Sequence, residues 1–287
     1  MLLDSPELAE ANRRALTIPR WKATELGQSA VAAAKAGVYF GPNGQEISIA
    51  ERVNAAVAAK LSIDPDDTLP TAVVNSFPAT RIEVANLTTL AAARRLTDQG
   101  LRPLALNFAN GLHTGGGFLS GSLAQEEVLC RSSALYLTLV GDPMYAFHAQ
   151  RPEPDSSAWC ILSPDVPVFR TDDGSPLDEP WLLSFITCAA PVATRIGQPR
   201  SADLLRQRIY RVLSIARAFG YESLVLGAWG CGAFGNDPHR TAADFKEALE
   251  TEFAGAFPTI TFAITDWSEE RRFLGAFRTA FKVASLP

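Results

Sequence analysis

The sequence predicts an α/β protein with helices on both faces of a mainly parallel sheet, preceded by a mainly helical extension. Three observations carry this reading. From residue 71 onward, apolar runs of strand length alternate with segments whose apolar residues recur at helical spacing. Two of those runs have no helix between them, so part of the sheet is antiparallel or mixed. The chain's 287 residues, 47% hydrophobic and 20% charged, are enough for a core that can shape a buried pocket.

Residues 5–36, rich in Ala, Glu, Arg and Lys and interrupted by Pro19, predict two helices. Segments 38–40 and 46–49 predict short strands about the turn Gly41-Pro42-Asn43-Gly44. Then come a strand at 71–77, a helix at 86–97, a strand at 103–109, a glycine-rich loop and a helix at 126–140. Runs 159–169 and 181–191 are the pair without a helix between them, and 150–157, with Pro152 and Pro154, is the one long loop. A helix at 202–219, a strand at 223–230, a second glycine-rich loop, a helix at 240–253, a strand at 259–265 and a helix at 269–283 complete the order. No internal repeat interrupts it. The expected division is an extension, 1–68, packed on a core, 69–287.

Composition narrows the function classes. A net charge of -5 with no block of five like charges argues against a protein that coats nucleic acid, so no direct nucleic-acid binding is expected. Cys130, Cys160, Cys188 and Cys231 form no CxxC pair, and the first residues lack the pattern of a secretory signal, so reduced thiols in a cytoplasm are expected. No apolar run reaches membrane-spanning length. His113, His148 and His239 have no ligand spacing with Cys or acids, so neither metal nor cofactor is expected. A monomer is adequate for a chain of this size.

Two glycine-rich loops follow buried strands, where open α/β sheets bind ligands. The first runs from Asn107 through Asn110 to Gly115-Gly116-Gly117; three consecutive glycines let backbone approach a ligand, although a triplet by itself is also an ordinary flexible turn. The second is Gly230-Cys231-Gly232-Ala233-Phe234-Gly235-Asn236, whose N–H groups suit a phosphate together with the helix that follows. It lacks the lysine of a P-loop. Its glycine spacing fits GxGxxG, but it lies late in the chain and only one strand follows, which speaks against a Rossmann dinucleotide site.

Between the loops stand Gln125, Glu126 and Glu127. Acids at a helix start favour the macrodipole, and that reading competes with a catalytic one. Side chains of adjacent helical residues point about 100° apart, so one catalytic acid and one orienting acid is the natural division of labour.

The Gly triplet, a seven-residue spacer (118–124) and Gln125-Glu126-Glu127 resemble the signature of poly(ADP-ribose) glycohydrolases of the short bacterial type. Leu106-Asn107-Phe108-Ala109 before the triplet and the segment 129–136 after the acids resemble the same family, and the likeness extends from about residue 71 to the C-terminus. The resemblance implies a macrodomain-like three-layer α/β/α sandwich with a mixed sheet. It implies poly(ADP-ribose), or an ADP-ribosylated protein, as partner, and hydrolysis of the ribose–ribose O-glycosidic bond to release ADP-ribose from chain ends. Glu127 would then protonate the departing ribose oxygen and help to activate water. Glu126 and Asn110 would hold the distal ribose, with Asn107 and Gln125 beside them. Gly115, Gly116 and Gly117 would crowd the scissile ribose and phosphate. Gly230, Cys231, Gly232, Ala233, Phe234, Gly235 and Asn236 would wrap the diphosphate, Phe234 packing on a ribose. Thr265 and Asp266 would line the adenine side, Asp266 serving alternatively as a helix N-cap. His113-Thr114 replaces the Asn-Pro type of pair expected before the triplet. The competing classes are an ADP-ribose-binding macrodomain without catalysis and a hydrolase of single ADP-ribose groups.

Overall fold

A computed structural model describes residues 1–71 and 76–282. In chain order the elements are β1 (Leu2–Leu3), α1 (Pro6–Leu16), α2 (Arg20–Ala36), β2 (Val38–Phe40), β3 (Glu46–Ser48), α3 (Ala50–Ala59), β4 (Leu61–Ile63), β5 (Arg81–Ala85), α4 (Thr89–Asp98) and β6 (Pro103–Ala109). After a 3-10 turn (Phe118–Ser120) come α5 (Gln125–Ser132), α6 (Leu135–Leu139), α7 (Pro143–Ala149), β7 (Cys160–Arg170), β8 (Pro176–Ala189), α8 (Ala193–Ile196), α9 (Arg200–Ala218), β9 (Ser223–Leu226), α10 (Pro238–Glu250), β10 (Thr259–Ala263) and α11 (Leu274–Ala280).

Eight strands form one sheet in the order β1-β5-β10-β9-β6-β8-β7-β4. Pairing is parallel from β1 to β8 and antiparallel for β8/β7 and β7/β4. The mixed sheet is therefore of the kind that the unseparated runs 159–169 and 181–191 predict. Strand β6 sits between β9 and β8, and its run Leu104-Ala105-Leu106 is buried on both faces. Alternation sends Leu104 and Leu106 into one core cluster, with Leu224, Phe262 and the apolar faces of α9, α10 and α11. Ala105 and Val225 turn to the other, with Ala30 and Ala34 of α2, Leu90 of α4 and Leu129 of α5. Helices thus cover both faces.

The first 68 residues contribute both edge strands: Leu2 and Leu3 lie opposite Val84 and Ala85, and Leu61–Ile63 lies against β7. Helix α2 packs on the 3-10 turn and on α5 so closely that a Cβ on Gly27 would stand 2.6 Å from the Phe118 carbonyl oxygen.

Several elements differ from the sequence reading. Of the expected strand at 71–77, residues 72–75 lie outside the described residues, as does Val283 of the expected last helix; the strand that pairs with β10 is Arg81–Ala85. The helix expected at 126–140 breaks at Ser133, which is extended and bridges to Val168, while the Ala134 N–H donates to the Pro167 carbonyl at 3.0 Å. Strand β9 ends at Leu226 rather than Gly230, and α11 begins at Leu274 rather than 269. The Ala-rich α3 was not expected as a helix.

Candidate active site

The loops after β6, β9 and β10 meet at the carboxyl ends of three neighbouring strands, where helix starts and free backbone groups converge. The Asn110 side-chain oxygen accepts from the Leu112 and His113 N–H groups at 2.9 and 3.0 Å, turning the chain sharply as it leaves β6. Gly115 and Gly116 follow with φ of 70° and 60°, a backbone that favours glycine. A Cβ on Gly116 would collide with Glu127 Oε1 and stand 3.1 Å from Glu126 Oε2. The middle glycine thus lets backbone lie directly against both carboxyl groups.

Glu126 and Glu127 open α5, and both are buried. Glu126 Oε2 accepts the Asn110 N–H at 2.7 Å and its Oε1 accepts Asn107 Nδ2 at 3.2 Å. Burial pushes its pKa up to about 8; the neighbouring Glu127 adds to the rise, and the Asn110 N–H opposes it. Glu127 Oε1 accepts the Gly117 N–H at 2.9 Å. Its Oε2 is buried without a hydrogen-bond partner.

Gln125 does different work. Strand β6 pairs with β9 only to Ala105, and beyond that point the Gln125 amide takes the place of the missing strand. Its Oε1 accepts the Phe108 N–H at 2.9 Å, and its Nε2 donates to the Leu106 carbonyl at 2.8 Å and to Thr89 Oγ1 at 3.0 Å. That pairing ties the start of α5 to β6.

A cavity of about 240 Å³ opens beside these groups, lined by Phe108, Ala124, Gln125, Gly230, Gly232, Ala233, Phe234, Ile264, Thr265 and Phe273, among others. The acids and the Gly triplet do not line it; they follow directly on Ala124 and Gln125, at its margin. In the second loop Gly230 (φ 73°) lies against Asn236, whose Nδ2 donates to the Pro191 carbonyl at 2.9 Å and the Gly230 carbonyl at 3.1 Å. Ser201 donates to Asn236 Oδ1 at 2.6 Å. Asn236 therefore clasps the loop. Cys231 is buried, its thiol pushed up to about 12 by burial, and its Sγ lies 3.6 Å from Thr241 Oγ1. Nothing stands within 4 Å of where a Gly232 side chain would begin.

The structure thus brings Asn110, Glu126, Glu127 and the triplet together, and it gathers Gly230, Gly232, Ala233, Phe234 and Thr265 around the cavity. Asn107, Cys231 and Asn236 face inward and act on what they hold. No helix starts at 268–269 for Asp266 to cap, since α11 begins at Leu274 with Phe273 at its N-cap; Asp266 instead ties the preceding turn together, its Oδ1 accepting the Ser268 N–H at 3.0 Å and its Oδ2 the Phe273 N–H at 2.7 Å. Arg200 pairs with Glu153 and Asp155. Phe108, Ile264 and Phe273 are lining residues that sequence reasoning did not single out; Phe273 fell within the expected last helix, and no local signal marks it. Among the described residues, His, Cys, Asp and Glu form no group of three that could share a metal ion.

A mixed sheet between two helical layers, with glycine loops at the strand ends and a carboxylate pair at the margin of the cavity they enclose, defines a macrodomain-like protein. Residues 27–171, just over half of the chain, match the family model of the microbial-type PARG catalytic domain. The chain belongs to the microbial-type poly(ADP-ribose) glycohydrolases, a family of glycoside hydrolases acting on poly(ADP-ribose). It is similar to the crystal structure of the Thermomonospora curvata poly(ADP-ribose) glycohydrolase, with 41% identity and a TM-score of 0.86, over 91% of this chain and 99% of that one. The same enzyme bound to the inhibitor ADP-HPD gives 41% identity and a TM-score of 0.83, over 90% and 98% of the two chains. The Deinococcus radiodurans poly(ADP-ribose) glycohydrolase in complex with ADP-ribose gives 38% and 0.69, over 88% and 96%. No curated protein matches the chain in a sequence comparison.

Proposed function

We propose that this protein releases ADP-ribose from the ends of poly(ADP-ribose) by hydrolysing ribose–ribose O-glycosidic bonds, with Glu127 as general acid and base. The observation that carries the assignment is the state of Glu127: one oxygen is fixed by the Gly117 N–H, while the other is buried and unpartnered. A buried polar atom without a partner costs free energy unless a ligand supplies one. A departing ribose oxygen fits that need.

Cleavage passes through an oxocarbenium-like transition state and needs an acid on the leaving oxygen. Glu127 gives the leaving ribose its proton and then takes one from the attacking water. Glu126, held by Asn107 and the Asn110 N–H, is the orienting acid for the distal ribose hydroxyls, together with Asn110. Gly115, Gly116 and Gly117 leave room for the scissile ribose and its phosphate. The second loop, clasped by Asn236, wraps the diphosphate, whose own charge stabilises the developing cation. Phe234 packs on a ribose and Thr265 on the adenine side. That two similar bacterial enzymes were crystallised with ADP-HPD and with ADP-ribose supports ADP-ribose as the class of ligand.

Residues 1–68 serve as an extension that buttresses the catalytic unit, 69–287. The protein acts as a monomer in the cytoplasm on the polymer or on ADP-ribosylated protein, without contacting nucleic acid or membrane itself, in the response to DNA damage. Among the described residues no helix is long and apolar enough to cross a membrane.

The test is incubation with poly(ADP-ribose), and separately with mono-ADP-ribosylated protein, following free ADP-ribose by chromatography. Release of ADP-ribose from the polymer is expected. Tight binding without release would make the protein a reader, and release from the mono-modified substrate alone would make it a mono-ADP-ribosyl hydrolase.

A further inference from the structure

Beyond Ala263 the cavity's wall at Thr265 and Phe273 has left the sheet: the 264–273 segment lies between β10 and α11. Such a loop needs an anchor if it is to hold a shape. The anchor visible in the structure is Asn86, immediately after β5 and fully buried. Its Nδ2 donates to the Asp266 carbonyl at 2.7 Å and to Asp4 Oδ1 at 2.9 Å. Its Oδ1 accepts the Asp266 N–H and Asn12 Nδ2, both at 3.0 Å. Its backbone N–H donates to the Leu3 carbonyl at 2.7 Å, and its carbonyl accepts Asn12 Nδ2 at 2.9 Å.

Every polar group of Asn86 is engaged, and each bond joins the first twelve residues or Asp266 to the end of β5. Asp266 passes the restraint on, because its Oδ2 accepts the N–H groups of Phe273 and Leu274 at 2.7 and 3.1 Å. Arg271 closes the circuit by donating to Asp4 Oδ2 at 3.0 Å and to the Ser268 carbonyl at 2.7 Å. None of these residues touches Glu127, which is held by Gly117 on a loop backed by α2.

We infer that Asp4, Asn12 and Asn86 are positioning residues for substrate binding: they lock the 265–273 wall of the cavity, so that the N-terminal segment sets affinity for the adenosine end of the ligand without entering the catalytic step. The inference rests on the cavity being the ADP-ribose site. A network in which every member is satisfied fixes geometry, and losing one member leaves others unpaired.

The experiment uses the full chain with Asp4→Ala, Asn12→Ala and Asp4→Asn, and avoids Asn86→Ala, whose loss would strand several buried groups. Calorimetry with ADP-ribose gives Kd, steady-state kinetics with the polymer give KM and kcat, and hydrogen exchange reports on 264–273. Asp4→Ala is expected to raise Kd and KM about tenfold, leave kcat within about twofold and speed exchange in the 264–273 segment. Asp4→Asn keeps an oxygen acceptor for Asn86 but puts an amide N–H2, a donor, where Arg271 Nε now meets Oδ2, so it is expected to recover part of the affinity lost by Asp4→Ala. Folded Asp4→Ala protein with parental Kd, KM and exchange would overturn the inference, as would a kcat that falls as far as KM rises. A parent that does not bind ADP-ribose, while exchange in 264–273 still responds to Asp4→Ala, would instead bring down the reading of the site beneath it.

Discussion

Glu126 and Glu127 follow one another in the first turn of α5, yet their hydrogen bonds divide the work between them. Glu126 spends both oxygens on Asn107 and on the Asn110 N–H, whereas Glu127 spends Oε1, the oxygen that lies over Gly116, on the Gly117 N–H and keeps Oε2 unpartnered. Gly116 is the residue that permits this, and Gly116→Ala is expected to cost about 1–3 kcal/mol of stability and about a hundredfold in kcat, since a Cβ there would displace the Glu127 carboxyl. Urea unfolding and initial-rate measurements check both numbers; a variant with parental kcat would mean that the triplet is merely a turn. The spacing from the Gly triplet to Gln125-Glu126-Glu127 was legible in the sequence because both motifs are local. The orientation of each carboxyl was not, since it depends on Asn107 and Asn110 arriving from β6.

At the scale of elements, the catalytic loop is held from behind. Helix α2 lies against the 3-10 turn Phe118–Ser120, Gly27 makes that approach possible, and Arg20 Nε donates to the Ser120 carbonyl at 2.8 Å. Gly27→Ala favours α2 by about 1 kcal/mol of helix propensity but pushes its new methyl into the Phe118 carbonyl. It is therefore expected to lower kcat by about tenfold, by misplacing the loop, with little change in ADP-ribose affinity, which titration calorimetry resolves from the rate effect. Long buried runs such as β6, β7 and β8 were legible because their apolar patterns are self-contained. The break of the expected 126–140 helix at Ser133 was not, because it follows from a bridge to Val168. Edge strands of two and three residues, β1 and β4, carry too little pattern to be read without their partners. Strand β5 hid behind Arg81 and Glu83, the latter buried and paired with Arg95.

Over the whole molecule, buried titratable groups make stability depend on pH. Folded Glu126 holds its proton to about pH 8, against an ordinary value of 4.5, so between those limits the native state binds more protons than the unfolded chain and stability falls as pH rises. His148, lowered by burial to about 4, acts in the opposite sense, losing stability as pH falls below 6.5. Asp172, raised by burial to about 6, acts like Glu126 but only up to that pH. Between pH 6.5 and 8 the Glu126 effect stands alone of the three, and unfolding in urea is expected to show a loss on the order of 1–2 kcal/mol across this interval. Glu126→Gln should flatten the slope, and a parent whose stability is flat or rising over the same interval contradicts the buried, protonated state. The general architecture at this scale, a sheet covered by helices on both faces, followed from the alternation of runs along the chain. That the first 68 residues add strands to both edges and anchor a cavity wall did not, because those contacts join residues far apart in sequence.

The most direct test of the central claim compares the parent with Glu127→Gln in two measurements on the same preparations: ADP-ribose released from poly(ADP-ribose), and Kd for ADP-ribose. Glu127→Gln is expected to lose turnover by at least about a thousandfold while Kd stays within about threefold, because the amide keeps an oxygen for the Gly117 N–H but has no carboxyl proton to deliver. Near-parental release by that variant would contradict the account.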